Sequence, residues 1–185
     1  PLAKRGQIKE IGVSNHNLSE IKRANEILNA EGLKISAVQN HFSLLNRSSE
    51  TSGILEYCKG NDITFYAYMV LEQGALTGKY DTAHLFPENS DRANAYNPIL
   101  GEIEKLVAVM KETGEKYNAS AAQIATAWAI CKGTLPIIGV TKTGHVTDAV
   151  KAADIVLTED EIKTMENMAD SIDVSTIRYW EKIME

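Results

Sequence analysis

The apolar positions of this chain form four short runs, separated by longer stretches in which they recur every three to four residues. Ile8 to Val13, Ile35 to Gln39, Ile63 to Tyr68 and Leu135 to Val140 are the runs, and each reads as a buried strand. After the first run, Leu18, Ile21, Ile27 and Leu28 keep a helical spacing. Asn17 and Glu20 precede them as a capping box, and Gly32 is placed to stop the helix. A second helix is predicted from about Ser48 to Lys59, with Ile54, Leu55 and Cys58 inward and a turn at Gly60 to Asp62. Pro98 opens a third, reaching about Tyr117 along the stripe Ile99, Ile103, Leu106, Val107 and Met110. Ser120 and Gln123 cap a helix through Ile124, Trp128 and Cys131 that is apolar on most sides, hence buried, and Gly133 ends it. Thr158 and Glu161 cap a last one with Ile162, Met165 and Met168.

The strand centres near Ile11, Ala37 and Phe65 lie 26 and 28 residues apart, the period of a strand–helix unit, so the strands are predicted to be parallel. Their nearly unbroken apolar character fits strands covered on both faces. The expected architecture is α/β: one domain over residues 1–185, built of four parallel βα repeats. Asp81 to Asn97 is polar and longer than a routine connection, which marks residues 81–97 as a lid-like loop. The tail from Ile177 to Met184 carries Tyr179, Trp180 and Ile183, a set suited to packing on the body or on a partner.

Composition narrows the function. The chain has 185 residues, 44% of them hydrophobic and 24% charged, which suits a globular domain with a sizeable core. A net charge of −6 removes the dominant basic surface that a nucleic-acid or anionic-membrane binder needs. A small anionic ligand remains open, because a local basic cluster suffices for one. Cys58 and Cys131 show no metal-ligand spacing and are expected to be reduced structural residues of a cytoplasmic protein. No run is long and apolar enough to span a bilayer, and no signal peptide is visible. The chain begins at Pro1, the look of a processed or excerpted chain.

In parallel α/β folds, ligands bind beyond the carboxyl ends of the strands. That rule selects Ser14, Asn15 and His16, then Gln39, Asn40 and His41, then Tyr68 with the loop Gln73–Lys79, then Thr141, Lys142 and Thr143. Amides, hydroxyls, an aromatic ring and two lysines gather at one rim, a set suited to a neutral amide, a flat ring and phosphates. His16, His41, His84 and His145 all follow strands, but without metal-ligand spacing they read as surface loop histidines, and no metal site is expected. Glu20, Glu56 and Glu72 read as solvated helix and loop residues.

At these positions the chain resembles the aldo-keto reductase family. The blocks IGVSN from Ile11, VQNHFSLL from Val38, YAYMVLEQGALTGKY from Tyr66 and PIIGVTKTGHV from Pro136 are similar to four family blocks, in order, within a match from about Gly6 to Ala169. The resemblance implies an (α/β)8 barrel that binds NADPH and passes its hydride to a small-molecule carbonyl. It implies that Ser14, Asn15 and Gln39 hold the nicotinamide carboxamide and that Tyr68 stacks on the nicotinamide ring. Leu71, Gln73, Gly74 and Leu76 would line the pyrophosphate with Lys79 nearby. Thr141 and Lys142 would meet the 2′-phosphate end, and His145 and Asp148 the adenosine side. Met69 and Val70 replace the usual Ser-Pro, Ala149 replaces an Asn, and an Arg usual near position 141 is missing, which leaves NADPH against NADH open.

The larger departure is length, since a full barrel takes roughly 250 residues. The chain looks like strands five to eight alone: the cofactor-binding half, without the family's catalytic Asp, Tyr, Lys and His. It is therefore expected to be inactive by itself. An alternative is a non-catalytic half-barrel, a truncated product whose copies dimerise through open sheet edges and close an eight-stranded barrel about a two-fold axis.

Overall fold

The computed structural model describes residues 2–181 and Met184. Pro1 and Ile183, both singled out in the sequence, lie outside the described residues. Four strands, β1 (Gly12–Ser14), β2 (Ala37–His41), β3 (Thr64–Tyr68) and β4 (Leu135–Pro136), form one parallel sheet in sequential order. Register pairs Ser14 with Gln39, Gln39 with Tyr66, and Tyr66 with Leu135. The helices are α1 (Leu18–Asn29), α2 (Ser48–Thr51), α3 (Ile54–Gly60), α4 (Asp91–Tyr96), α5 (Leu100–Glu115), α6 (Ala121–Cys131), α7 (Thr143–Ala152) and α8 (Glu159–Asp170).

The predicted capping boxes form at Asn17, Ser120 and Thr158, each side chain accepting from the third helical amide while Glu20, Gln123 or Glu161 reaches back. Strand limits differ from the apolar runs, because a strand extends only as far as a neighbour accompanies it. β1 and β4 are edge strands. Ile8, Ile137 and Val140 are 42%, 43% and 47% exposed and fall outside the strands, although the Ile137 amide still donates to the Ala67 carbonyl of β3 at 2.8 Å. β2 instead continues to His41, because β3 runs alongside to Tyr68. The predicted helix over 48–59 is broken into α2 and α3 by Gly53, whose φ of +78° is a left-handed conformation that no helix interior holds. Residues 81–97 carry α4, N-capped by Ser90, and bury Phe86 and Tyr96. Ile27 faces solvent, not the core, and α7 is an element the hydrophobic pattern did not announce.

The core lies on one side of the sheet. Phe42 and Phe65 meet edge to face, and Phe42 stacks on Trp128 of α6 at 5.0 Å between ring centres. Val38, Phe65 and Ala67 point into this side and are buried. The alternate positions Ser14, Gln39, Thr64 and Leu135 are exposed. This corrects the expectation of strands covered on both faces: among the described residues, only the carboxyl end of the second face is covered, by the tail. Cys58 is buried in α3, Cys131 is exposed at the end of α6, and both are free thiols.

The α5–α6 corner closes tightly around Gly114. The Ala119 amide donates to the Gly114 carbonyl at 3.0 Å, and a Cβ on Gly114 would collide with the Ala119 carbonyl oxygen. Gly114→Ala should therefore cost about 1–3 kcal/mol of stability through forced backbone shifts, measurable as a fall in urea midpoint. Gly60→Ala, where a Cβ would meet open space, should leave the midpoint within the usual surface-mutation scatter.

Candidate functional site

The site is built at the carboxyl ends of the strands. Beyond β3 the chain turns through Met69 and enters a helical loop, Glu72–Thr77. Met69, Glu72 and Gln73 have φ of 62°, 47° and 52°, and Gly74 and Gly78 have φ of 109° and 73°. Three non-glycine residues in the left-handed region within five positions cost roughly 1 kcal/mol or more apiece, and such a backbone persists only where its surroundings hold it.

This loop, the segment after β4, the start of α7 and the inner side of α6 enclose a cleft of about 740 Å³. Leu71, Gln73, Gly74, Lys79, Thr141, Lys142, His145 and Asp148 line it. These are eight of the thirteen residues the sequence singled out for a cofactor. Leu76 is different: its side chain is fully buried in the core, and its amide is spent on the Leu71 carbonyl, so it lends the cleft no group. The cleft also takes Arg92, supplied by α4. No motif marked it, and the reading of 81–97 as a loop hid the helix that presents it. Lys79, Lys142 and Arg92 make the cleft locally cationic on an acidic protein, which favours an anionic ligand. Lys142 and Thr143 begin α7, whose first amides add positive potential at the same place.

Ser14, Asn15, Gln39 and Tyr68 lie at the rim of the sheet, outside the cleft lining. The Tyr68 hydroxyl donates to Asn15 Oδ1 at 2.5 Å and also faces Glu181 Oε1 at 3.2 Å. Burial, then the Glu181 carboxylate, push the Tyr68 phenol well above its ordinary range, so it stays a neutral donor. Gln39 and Ser14 point from the uncovered face, with side chains free to meet a ligand amide.

Beside this rim lies a polar cluster that overturns two sequence readings. His41 is buried at the end of β2, not on a surface loop, and Glu72 is wholly buried, not solvated. His41 Nε2 faces Glu72 Oε1 at 2.8 Å, and its Nδ1 faces Glu181 Oε2 at 2.9 Å. Burial alone would lower the imidazole, but the Glu72 charge and hydrogen bonds to both carboxylates raise it to about 9. Glu181, despite burial, is held below the usual carboxylate range by His41. Glu72 also accepts from the Ser43 hydroxyl, from Tyr96 at 2.7 Å and from Thr176 at 3.2 Å. Glu72 stands in an otherwise apolar and amide stretch, and His41 ends a strand; together those were the signal for a buried pair. Among the described residues no group of three or more His, Cys, Asp or Glu could hold a metal, and no helix is long and apolar enough to cross a membrane.

Residues 1–170 match the model of the Aldo/keto reductase family. The chain is 32% identical over 174 residues to the chloroplastic pyridoxal reductase of Arabidopsis thaliana, covering 94% of this chain and 47% of that protein. It is 28% identical over 181 residues to the aldo-keto reductase yakc of Schizosaccharomyces pombe, whose name carries NADP(+), covering 94% and 52%. The solved glycerol dehydrogenase AKR11B4 from Gluconobacter oxydans superimposes with a TM-score of 0.82 at 23% identity, over 98% of this chain and 55% of that one, a likeness of fold. The chain thus spans about half the length of the relatives it matches.

The His41 cluster generates a pH prediction. A folded-state imidazolium raised from 6.5 to about 9 contributes stability that is complete below about 6.5 and is lost as pH rises through 9. Urea denaturation should show wild-type stability declining between pH 7 and 10. His41→Gln should cost about 3 kcal/mol at pH 7, because it strands two buried carboxylates, and should flatten that decline. An NMR midpoint for His41 near 6.5 would contradict the assignment.

Proposed function

This chain belongs to the aldo/keto reductase family, and on that premise we propose that it is the cofactor-binding half of an NADPH-dependent oxidoreductase that reduces a carbonyl to an alcohol in its full-length, cytoplasmic form. The observation that carries the reading is the cationic cleft of about 740 Å³ beside the sheet end that carries Ser14, Asn15, Gln39 and Tyr68. Its size is within the range of small-molecule and cofactor sites. The donor set fits a phosphorylated dinucleotide: Lys79 and Arg92 for the pyrophosphate, Thr141 and Lys142 for the 2′-phosphate, and His145 and Asp148 towards the adenosine. Ser14, Asn15 and Gln39 supply both donors and acceptors for a carboxamide, and the Tyr68 ring offers a flat face to the nicotinamide. NADH is the other candidate, since the adenosine end departs from the family pattern at Ala149.

When bound, the dinucleotide supplies a hydride. The protein's part here is to orient it: the rim fixes the ring, and the cations neutralise the phosphates. The proton that a developing alkoxide needs is a separate requirement. The family's catalytic Asp, Tyr, Lys and His have no counterpart in these blocks, so the chain alone is read as binding without turnover. The uncovered sheet face supports the half-barrel reading, since a parallel sheet is normally covered on both faces. The exposed edge residues Ile137 and Val140 favour a second reading, in which two copies close a barrel.

NADPH titration followed by cofactor fluorescence tests the first reading. Saturable binding is expected, with Lys79→Ala weakening it about tenfold at low salt through loss of one charge-assisted contact, and Tyr68→Ala weakening it through lost stacking. Absence of binding by the intact full-length protein would refute it. Sedimentation separates the second: a concentration-dependent dimer supports closure by two copies, and a stable monomer rejects it.

A further inference from the structure

Glu72 sits at the hinge between the rim and the cleft. Its side chain has no exposure, and its backbone is one of three non-glycine left-handed positions in the loop. The neighbouring residues Leu71, Gln73 and Gly74 line the cleft. Hydrogen bonds within the loop are short-range: the Glu72 amide to the Met69 carbonyl at 2.7 Å, and the Gly74 amide to the Leu71 carbonyl at 2.8 Å. They shape the turn without fixing it to the body. The carboxylate makes the densest set of ties to the body, accepting from His41 and Ser43 at the end of β2, from Tyr96 in α4 and from Thr176 in the tail, beside the buried side chains of Ala75 and Leu76 and the bond that Arg178 donates to Gln73 Oε1 at 3.1 Å. A carboxylate can take four donors at once, whereas an amide turns donor hydrogens towards some of them.

We infer that Glu72 is a positioning residue for the cleft, its buried carboxylate holding the strained loop 69–77 in the shape that places Leu71, Gln73 and Gly74 along the ligand site. It touches no ligand itself. It acts through His41, whose charge it balances, so loop order and ligand affinity follow the protonation of that imidazole. The groups facing the pair are Glu181 from the tail, the Tyr68 ring of β3 at 5.7 Å from that of His41, and Tyr96 of α4, over which the Arg178 guanidinium lies at 4.4 Å. This combines two carboxylates with two cations, a balanced set that removal of any one charge disturbs. The affinity half of the inference rests on the proposed cofactor reading, and the loop half does not.

The test uses the full chain in wild-type, Glu72→Gln and Tyr96→Phe forms. Backbone amide exchange is read without ligand, and NADPH binding by fluorescence titration from pH 6 to 10. Glu72→Gln is expected to speed exchange at 71–77 at least tenfold while α5 and α6 keep their rates, and to weaken NADPH about tenfold. Tyr96→Phe, one donor fewer, should fall between. Wild-type affinity should hold to about pH 8 and drop as pH passes 9, and in Glu72→Gln that break should move to lower pH. Unchanged loop exchange in both variants overturns the inference, as does weakened binding with an unmoved pH break. If Glu72→Gln does not fold, Tyr96→Phe decides by the same two readouts. If wild type does not bind NADPH, the cofactor reading fails, and exchange at 71–77 alone decides the role of Glu72.

Discussion

A four-stranded parallel sheet packed on one face only is the constraint from which the rest of this structure follows. Phe42, Phe65 and Trp128 close one face into a buried core with α6 behind it. The other face keeps Ser14, Gln39 and Leu135 in the open, with its carboxyl end capped by the tail through Glu181. Edge strands that lack an outer neighbour shorten, which is why β1 and β4 are brief where their apolar runs are long. The same geometry leaves amides and a ring available at the rim, and brings the loops after β3 and β4 together around one cleft.

The polar cluster beneath that rim answers a second constraint. A carboxylate without solvent must be neutralised and fully hydrogen-bonded, and Glu72 is both. A pair of this kind contributes little net stability compared with well-packed apolar groups. What it contributes is one defined arrangement of β2, the cleft loop, α4 and the tail. A loop with three non-glycine left-handed residues needs such over-determination, and the buried cluster sits in the middle of it.

Much of this was legible in the sequence, for physical reasons. Capping boxes at Asn17, Ser120 and Thr158 are local interactions, so their spacing alone located three helix starts. Parallel pairing followed from the strand period, and the cleft loops followed from the rule that ligands sit at carboxyl ends. Most of the misreadings concern features set by distant partners, and the break at Gly53 is a local one. Strand limits depend on the neighbouring strand. Gly53 breaks a helix whose apolar stripe is continuous. The burial of Glu72 requires His41, Ser43, Tyr96 and Thr176 to converge from three segments, and Arg92 reaches the cleft only because α4 forms within a polar stretch. Leu76 shares its loop with cleft residues, yet its side chain is buried in the core.

On the proposed reading, the cleft and the rim form one site for a nicotinamide dinucleotide phosphate. Amide chemical-shift mapping during NADPH addition tests it most directly. Coupled, saturable shifts are expected at Asn15, Gln39 and Tyr68 together with Gly74, Lys79, Thr141 and Lys142. Saturable shifts confined to other surfaces, or movement of the cleft residues with none at the rim, would contradict it.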